Sequence, residues 1–158
     1  MPRLRRYARS LTGDRASAED LVQDTLERAW RRLHLWRHGS DMRAWLFTIM
    51  HNLHVNQTRT RFGKHTVAVE DEALDFPVRA TQEDRLELRD LKEALRRLPD
   101  EQQEVLLLVG LEQMSYQEVA KVLGIPLGTV MSRLCRGRER LRALMDGRVS
   151  THQLKVVK

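Results

Sequence analysis

Two apolar runs of helical period, separated only by Leu123-Gly124-Ile125-Pro126, constrain this chain more than any other feature. Ahead of the turn, Tyr116, Val119, Ala120 and Leu123 recur three and four apart, the spacing of one helix face. Ser115 opens that run with Glu118 three residues on, a capping-box pattern. Gly124 suits the left-handed position that ends a helix. Beyond Pro126, Leu127, Val130, Leu134, Leu141 and Leu144 resume the period. A turn this short makes two helices cross steeply, as in a helix-turn-helix. Val119, Ala120, Leu123, Val130 and Leu134 are expected to fill the crossing. The far side of the second helix carries Thr129, Ser132, Arg133, Arg136 and Arg140 at the same spacing. Such a stripe suits the DNA major groove and its flanking phosphates, although a merely solvated face has the same pattern.

The rest of the chain is punctuated the same way. Leu4, Tyr7, Ala8 and Leu11 predict a first helix, stopped by Thr12-Gly13. Ser17 with Asp20 predicts the next cap, followed by one apolar face of Val22, Leu26, Ala29, Trp30 and Leu33. Ser40 is expected to cap a third helix running to about Arg61. Its core side is Met42, Trp45, Leu46, Ile49, Met50 and Leu53. Periodicity then lapses over 62–80, where Gly63, Pro77 and the acids Glu70, Asp71, Glu72 and Asp75 mark a linker. Thr81 with Asp84 restarts helix, Leu88, Leu91, Leu95 and Leu98 sustain it, and Pro99 ends it. Asp100 is expected to cap the helix of Val105, Leu108 and Val109. The expected fold is all-α: two small helical domains, each with its own marginal core, joined by an acidic linker.

Charge follows this division. Of the net +6, residues 1–61 hold 12 arginines against 6 acids. Residues 62–84 hold two basic residues against 6 acids, and 85–147 are nearly balanced. The tail 148–158 is basic. The expected organisation is therefore a domain over 1–61, a linker over 62–84, a domain over 85–147 and a tail over 148–158. The single cysteine, Cys135, has no disulfide partner, and no apolar run approaches the roughly 20 residues of a membrane span. A cytoplasmic protein with no membrane insertion is expected. His34/His38 and His51/His54 have helical spacing, but no ligand set closes around them, so no metal is expected. No nucleophile–base pair, phosphate-binding glycine loop or paired carboxylates stand out, so neither an enzyme nor a cofactor is expected.

The stretch MSYQEVAKVLGIPLGTVMSRLCRGRERLR (114–142), with LPDEQQEVLLL (98–108) before it, resembles the promoter-binding C-terminal domain of extracytoplasmic-function (ECF) sigma factors. LTGDRASAEDLVQDTLERAWRR (11–32) is similar to that family's polymerase-clamp helix pair, and GSDMRAWLFTIMHNLHVNQTR (39–59) to its −10 helix. The resemblance implies −35 reading by Gly128, Thr129, Ser132, Arg133, Arg136 and Arg140. It implies a flipped-base pocket in the loop Leu35–Asp41, from Trp36, His38, Ser40 and Asp41, with Asn52, Asn56 and Arg59 beside it. Trp36 is equally readable as core, and Asn56 stands where the family often has Asp. Asp20, Gln23, Asp24 and Glu27, by themselves an ordinary polar helix side, become a face for core RNA polymerase. The linker is either a solvated tether or a nucleic-acid mimic in the polymerase channel.

The partners implied are core polymerase, promoter DNA and a one-to-one anti-sigma factor. Two features depart from the family. Gly137 replaces a small helix former and is expected to bend or soften the last helix. Few residues precede the first helix, which implies a missing partner contact or a start upstream. Two other readings are a sigma-like decoy, against which the retained Arg59, Arg133, Arg136 and Arg140 count, and a repressor or activator with a sensor domain.

Overall fold

The computed structural model describes residues 2–61 and 82–156, the side chains of Arg61 and 148–156 excepted. The linker acids and the Thr81 half of the proposed Thr81/Asp84 cap lie outside the described residues. Every regular element among the described residues is helical.

Helix α1 (Pro2–Thr12) buries Leu4, Tyr7 and Ala8. It ends where Gly13 turns left-handed at φ 82°, a conformation that costs glycine little. Helix α2 (Arg15–Arg31) starts earlier than the Ser17/Asp20 pattern predicts. Asp14, extended just after that turn, accepts a hydrogen bond from the Ser17 backbone N–H at 2.8 Å and is the cap. The buried face of α2 is Ala18, Leu21, Val22, Thr25 and Ala29. Trp30, expected on the apolar face, is instead 78% exposed, and Leu33 is exposed as well. The stripe through Leu21, Thr25 and Ala29 already fills the contact with α1 and α3, and Trp30 lies one position round the helix.

A 3-10 turn (Leu33–Leu35) leads to α3 (Met42–Arg61). Asp41, not Ser40, caps α3, accepting from the Arg43 N–H at 2.9 Å, while the Ser40 hydroxyl donates to Arg37 O at 2.6 Å. Phe47, Ile49 and Met50 are the buried residues of α3. Trp45, expected in the core, is half-buried, and Phe47 takes the central place.

Helix α4 (Gln82–Arg96) buries Ala94 and leads to α5 (Asp100–Leu106). Pro99 occupies the cap position of α5, its carbonyl accepting from Gln102 and Gln103, so Asp100 is the first helical residue rather than the cap. Its carboxylate still suits the positive helix end. Helix α5 widens into a π turn (Leu107–Leu111), where the Glu112 N–H reaches Leu107 O at 3.1 Å. Helices α6 (Tyr116–Leu123) and α7 (Leu127–Val156) follow. Helix α7 runs unbroken through Gly137 and to Val156, into the segment expected as a basic tail. Gly137 is buried, and its role is close packing of α7 on α5 rather than a bend.

The two halves do not keep separate cores. Helix α3 packs on α6, and α1 touches the π turn. Leu4, Tyr7, Phe47 and Met50 form one buried cluster with Val105, Leu108, Met114 and Val119. Tyr7 and Phe47 meet edge to face at 5.1 Å. Neither half buries much alone, so pooling the apolar faces removes more surface from water.

Polar groups cross the same contact. Arg6 donates to Leu111 O at 3.3 Å and to Glu112 Oε1 at 3.4 Å, and the Glu112 side chain is fully buried. His51 Nδ1 lies 3.1 Å from Glu104 Oε1, and Gln103 Nε2 donates to Ser10 O at 3.1 Å. Burial, with Glu104 and Glu112 nearby, raises the Tyr7 hydroxyl well above the usual tyrosine range.

Candidate nucleic-acid interface

The helix-turn-helix forms as the sequence predicts. Ser115 Oγ accepts from the Glu118 N–H at 3.2 Å, and Glu118 Oε2 accepts from the Ser115 N–H at 2.8 Å. Gly124 takes φ 65°, ψ 37°, and its N–H bonds Ala120 O. Pro126 O then accepts from Thr129 and Val130, starting α7 within one residue of the turn. Val119, Val130 and Leu134 are buried in the crossing, and Ala120 and Leu123 partly so. Val122 is buried with them; its i+3 relation to Val119 was the available signal.

These buried residues fix which side of α7 faces out. Gly128, Ser132, Arg136 and Arg140 are exposed, and Thr129 is half-buried at the edge. The Ser132 hydroxyl donates to Thr129 O at 3.1 Å, back onto its own helix. Arg133 differs from the other arginines. Its side chain is only 26% exposed and lies 3.7 Å from Glu101 of α5. The arginine stripe therefore has one member tethered at the flank and two free of ion pairs to any described residue.

Two apolar residues stand on this surface as well: Leu127 is 42% and Met131 52% exposed. Met131 is not among the residues that the polar stripe of α7 marks, because it is apolar. The signal was its position directly after core Val130. An exposed apolar side chain on a groove-facing helix can meet a thymine methyl group.

In the N-terminal half, Asn52, Asn56 and Arg59 are exposed along one stripe of α3. Trp36 and His38 lie together, their rings 5.1 Å apart and edge to face. Trp36 is half-buried, and its buried Nε1 has no hydrogen-bond partner among the described residues. Ser40 and Asp41 are exposed, but each also holds its own backbone. The loop and the α3 stripe are thus distinct: Asn52 sits ten residues past Met42, about 15 Å along the helix. His51 is taken up by Glu104. Among the described residues, no group of three metal-ligating side chains occurs.

The acidic side of α2 is a third surface. Asp20, Gln23, Asp24 and Glu27 are exposed; Asp24 Oδ2 accepts from Gln57 at 3.5 Å, and Glu27 pairs with Arg31 at 2.6 Å. A groove beside them is lined by Arg5, Glu19, Val22, Gln23, Leu26 and Glu27. Val22 and Leu26 are the apolar part of that lining, and Glu19, Gln23, Glu27 and Arg5 its polar part. Trp30, four residues on from Leu26 along α2, is exposed.

Comparison with known proteins places both halves. The family described as the Sigma2 domain of PhyR matches residues 1–51, and Sigma-70, region 4 matches 88–141. The chain is 39% identical over 145 residues to the ECF RNA polymerase sigma factor EcfG of Rhodopseudomonas palustris (strain TIE-1), covering 92% of this chain and 80% of that protein. Its fold matches the sigma factor RpoE, solved with the anti-sigma factor NepR from Bartonella quintana. The TM-score is 0.78 and the identity 37%, over 92% of this chain and 91% of that one. CnrH, solved with the cytosolic domain of CnrY, matches with a TM-score of 0.68 and 30% identity, over 92% and 82% of the two chains. Among the described residues, no helix is long and apolar enough to cross a membrane.

Proposed function

The chain belongs to the ECF family of RNA polymerase sigma factors, and we propose that it divides promoter recognition between its halves as follows. Residues 85–147 read the −35 element. Helix α7 enters the major groove with Gly128, Thr129, Ser132, Arg133, Arg136 and Arg140. Residues 1–61 bind core polymerase and read the −10 element, and residues 62–84 join the two. In that half, Trp36, His38, Ser40 and Asp41 receive an unstacked base, and Asn52, Asn56 and Arg59 follow the strand along α3. Core polymerase meets the acidic face Asp20, Gln23, Asp24 and Glu27.

The observation that carries this reading is the capped turn at Gly124, which presents the exposed N-terminal half of α7 with its arginines outward. Phosphate contacts by such arginines position the helix, and base-edge contacts specify the site. The chain works in the cytoplasm, requires no cofactor and catalyses nothing itself; it directs the polymerase's chemistry. A one-to-one anti-sigma factor holds it inactive. The support for that partner is that RpoE, similar over 92% of this chain, was solved with NepR.

Run-off transcription tests the reading. Core polymerase with this chain is expected to initiate at a promoter carrying both elements and to fail when either is scrambled. Equal transcription from scrambled templates overturns it.

A further inference from the structure

We infer that the outward side of α7 carries a second, apolar row, Leu127, Met131 and Cys135, which selects thymine C5-methyl groups in the −35 element. The inference rests on the placement of α7 in the major groove proposed above, and it names the base feature that this helix prefers.

Leu127, Met131 and Cys135 follow one another four residues apart, and so do Gly128, Ser132, Arg136 and Arg140. Each set is one row along the helix, and the polar row lies one residue, about 100°, round from the apolar one. The buried side of α7 is set by Val130, Leu134 and Gly137, so both rows lie outside it. Leu127 is 42% and Met131 52% exposed, and Cys135 is exposed as well. Exposed apolar residues scattered singly need no explanation. These stand one turn apart, at the start of α7, beside the residues proposed to enter the groove. In a helix-turn-helix, the N-terminal residues of the second helix are the ones that reach base edges. The row ends in charge: Glu139, four residues past Cys135, is exposed. Phosphates repel a carboxylate, so the apolar contact is confined to the N-terminal half of the helix.

Chemistry decides what such a row can recognise. In the major groove, thymine alone presents a methyl group; the other edges are read through hydrogen-bond donors and acceptors. Leucine offers no hydrogen bond and methionine at most a weak acceptor. Against a polar edge either side chain would strip water from a donor or acceptor and leave it unpaired, which is unfavourable. Against a methyl group both partners leave water to advantage. Met131 is unbranched, so its end can adapt to a methyl on either strand. Adjacent members of the row are about 6 Å apart along the helix axis. That is about two base pairs at roughly 3.4 Å each, so Leu127 and Met131 address thymines about two base pairs apart. The polar row supplies phosphate and hydrogen-bond contacts, and the apolar row adds a preference that its arginines cannot.

The test uses the full chain with core polymerase. Templates with a randomised −35 element are selected for initiation. Each thymine of the selected element, on either strand, is then replaced in turn by deoxyuridine, which lacks only the methyl group. At least one replacement is expected to lower promoter occupancy about 4-fold, the worth of one buried methyl group. Met131→Ala or Leu127→Ala is expected to lower occupancy of the thymine template at least as much and to treat thymine and deoxyuridine alike. Both side chains are about half exposed, so neither substitution should alter helical circular dichroism. Selection of an element without A·T pairs overturns the inference. So does indifference of the wild type to every deoxyuridine, or a thymine preference that survives both substitutions. Cys135, the one cysteine of the chain, separates this failure from a failure of the groove placement. Its alkylation by a maleimide, read by mass on this chain, is expected to slow when the selected promoter is occupied. Protection without a methyl effect overturns the apolar row and leaves the −35 reading intact. A Cys135 equally reactive with and without promoter takes α7 out of the groove and overturns both.

Discussion

A β-carbon on Gly137 would stand 3.1 Å from Leu106 Cδ1 and 3.4 Å from Gln102 Cβ, so α7 approaches α5 closely at this point. Two effects oppose each other there. Alanine gains about 1 kcal/mol of helix propensity over glycine, but its methyl group pushes the end of the Leu106 side chain. Leu106 is only half-buried and can yield by a few tenths of an ångström. Gly137→Ala is therefore expected to change stability by less than about 1 kcal/mol. Gly137→Leu cannot be absorbed and is expected to destabilise by about 1–3 kcal/mol through overpacking. Urea denaturation of the two variants decides; equal midpoints for Leu and Ala would show that α5 and α7 are not in contact at this point.

Tyr7 is buried, its hydroxyl has no hydrogen-bond partner among the described residues, and its titration is pushed upward, chiefly by burial. The folded chain therefore keeps the proton at pH values where an unfolded tyrosine, with pKa of about 10, releases it. The unfolded state then binds fewer protons, and stability falls as pH rises above about 10. Below that value the contribution is constant. Tyr7→Phe removes an orphaned hydroxyl while keeping the ring against Phe47. It is expected to be neutral or stabilising at pH 7 and to lessen the alkaline loss. Thermal melts of both proteins between pH 7 and 11 provide the check, and a variant much less stable at pH 7 would reveal a partner for that hydroxyl.

Asp24 and Glu27 are exposed on α2 and contribute to surface pairs alone. Such pairs are worth about 0–1 kcal/mol. Asp24→Lys with Glu27→Lys should leave circular dichroism normal and weaken binding to core polymerase. Trp30→Ala, at a residue 78% exposed, should do the same without loss of stability. Unchanged pull-down of polymerase by the folded variants would remove this face from the interface.

Arg133 and Arg136 differ in placement, and their substitutions should differ in kind. Arg136 is exposed and one turn on from Ser132, on the side of α7 proposed to enter the groove. Its loss is expected to cost about 1–3 kcal/mol at one −35 position and to relax specificity there. Arg133 sits at the flank beside Glu101, which on the proposed reading makes it a phosphate contact rather than a base contact. Its loss should weaken all promoters alike and lower the salt slope by about one unit. Neither change should alter core-polymerase affinity. Run-off transcription on a panel of −35 variants at several salt concentrations separates the two patterns; full activity of both variants on every template would place a different face in the groove.

Helix positions and the helix-turn-helix were legible because their causes are local. The Ser115/Glu118 box, Gly124 and Pro126 act within four residues, so the sequence names them correctly. Cap choice is less legible where two candidate side chains lie within one turn of each other. Asp14 displaced Ser17 and Asp41 displaced Ser40 because the preceding turn, not the residue type, decides which side chain meets the free N–H groups.

Which apolar residues are inside is a different kind of question. Periodicity by itself specified the all-α class, the positions of most helices and the outward side of α7, since period 3.6 follows from backbone geometry alone. It could not tell Phe47 from Trp45 or show that Trp30 is left exposed, because burial depends on which partner helix arrives. Nor could it show one core shared by both halves. Arg6 meets Glu112 across 106 positions, and nothing in either neighbourhood marks the other. Gly137 likewise reads as a weak point of a helix until α5 is laid against it. Contacts between distant segments are selected by the sum of buried surface and paired polar groups over the whole chain, and that sum exists only in the folded arrangement.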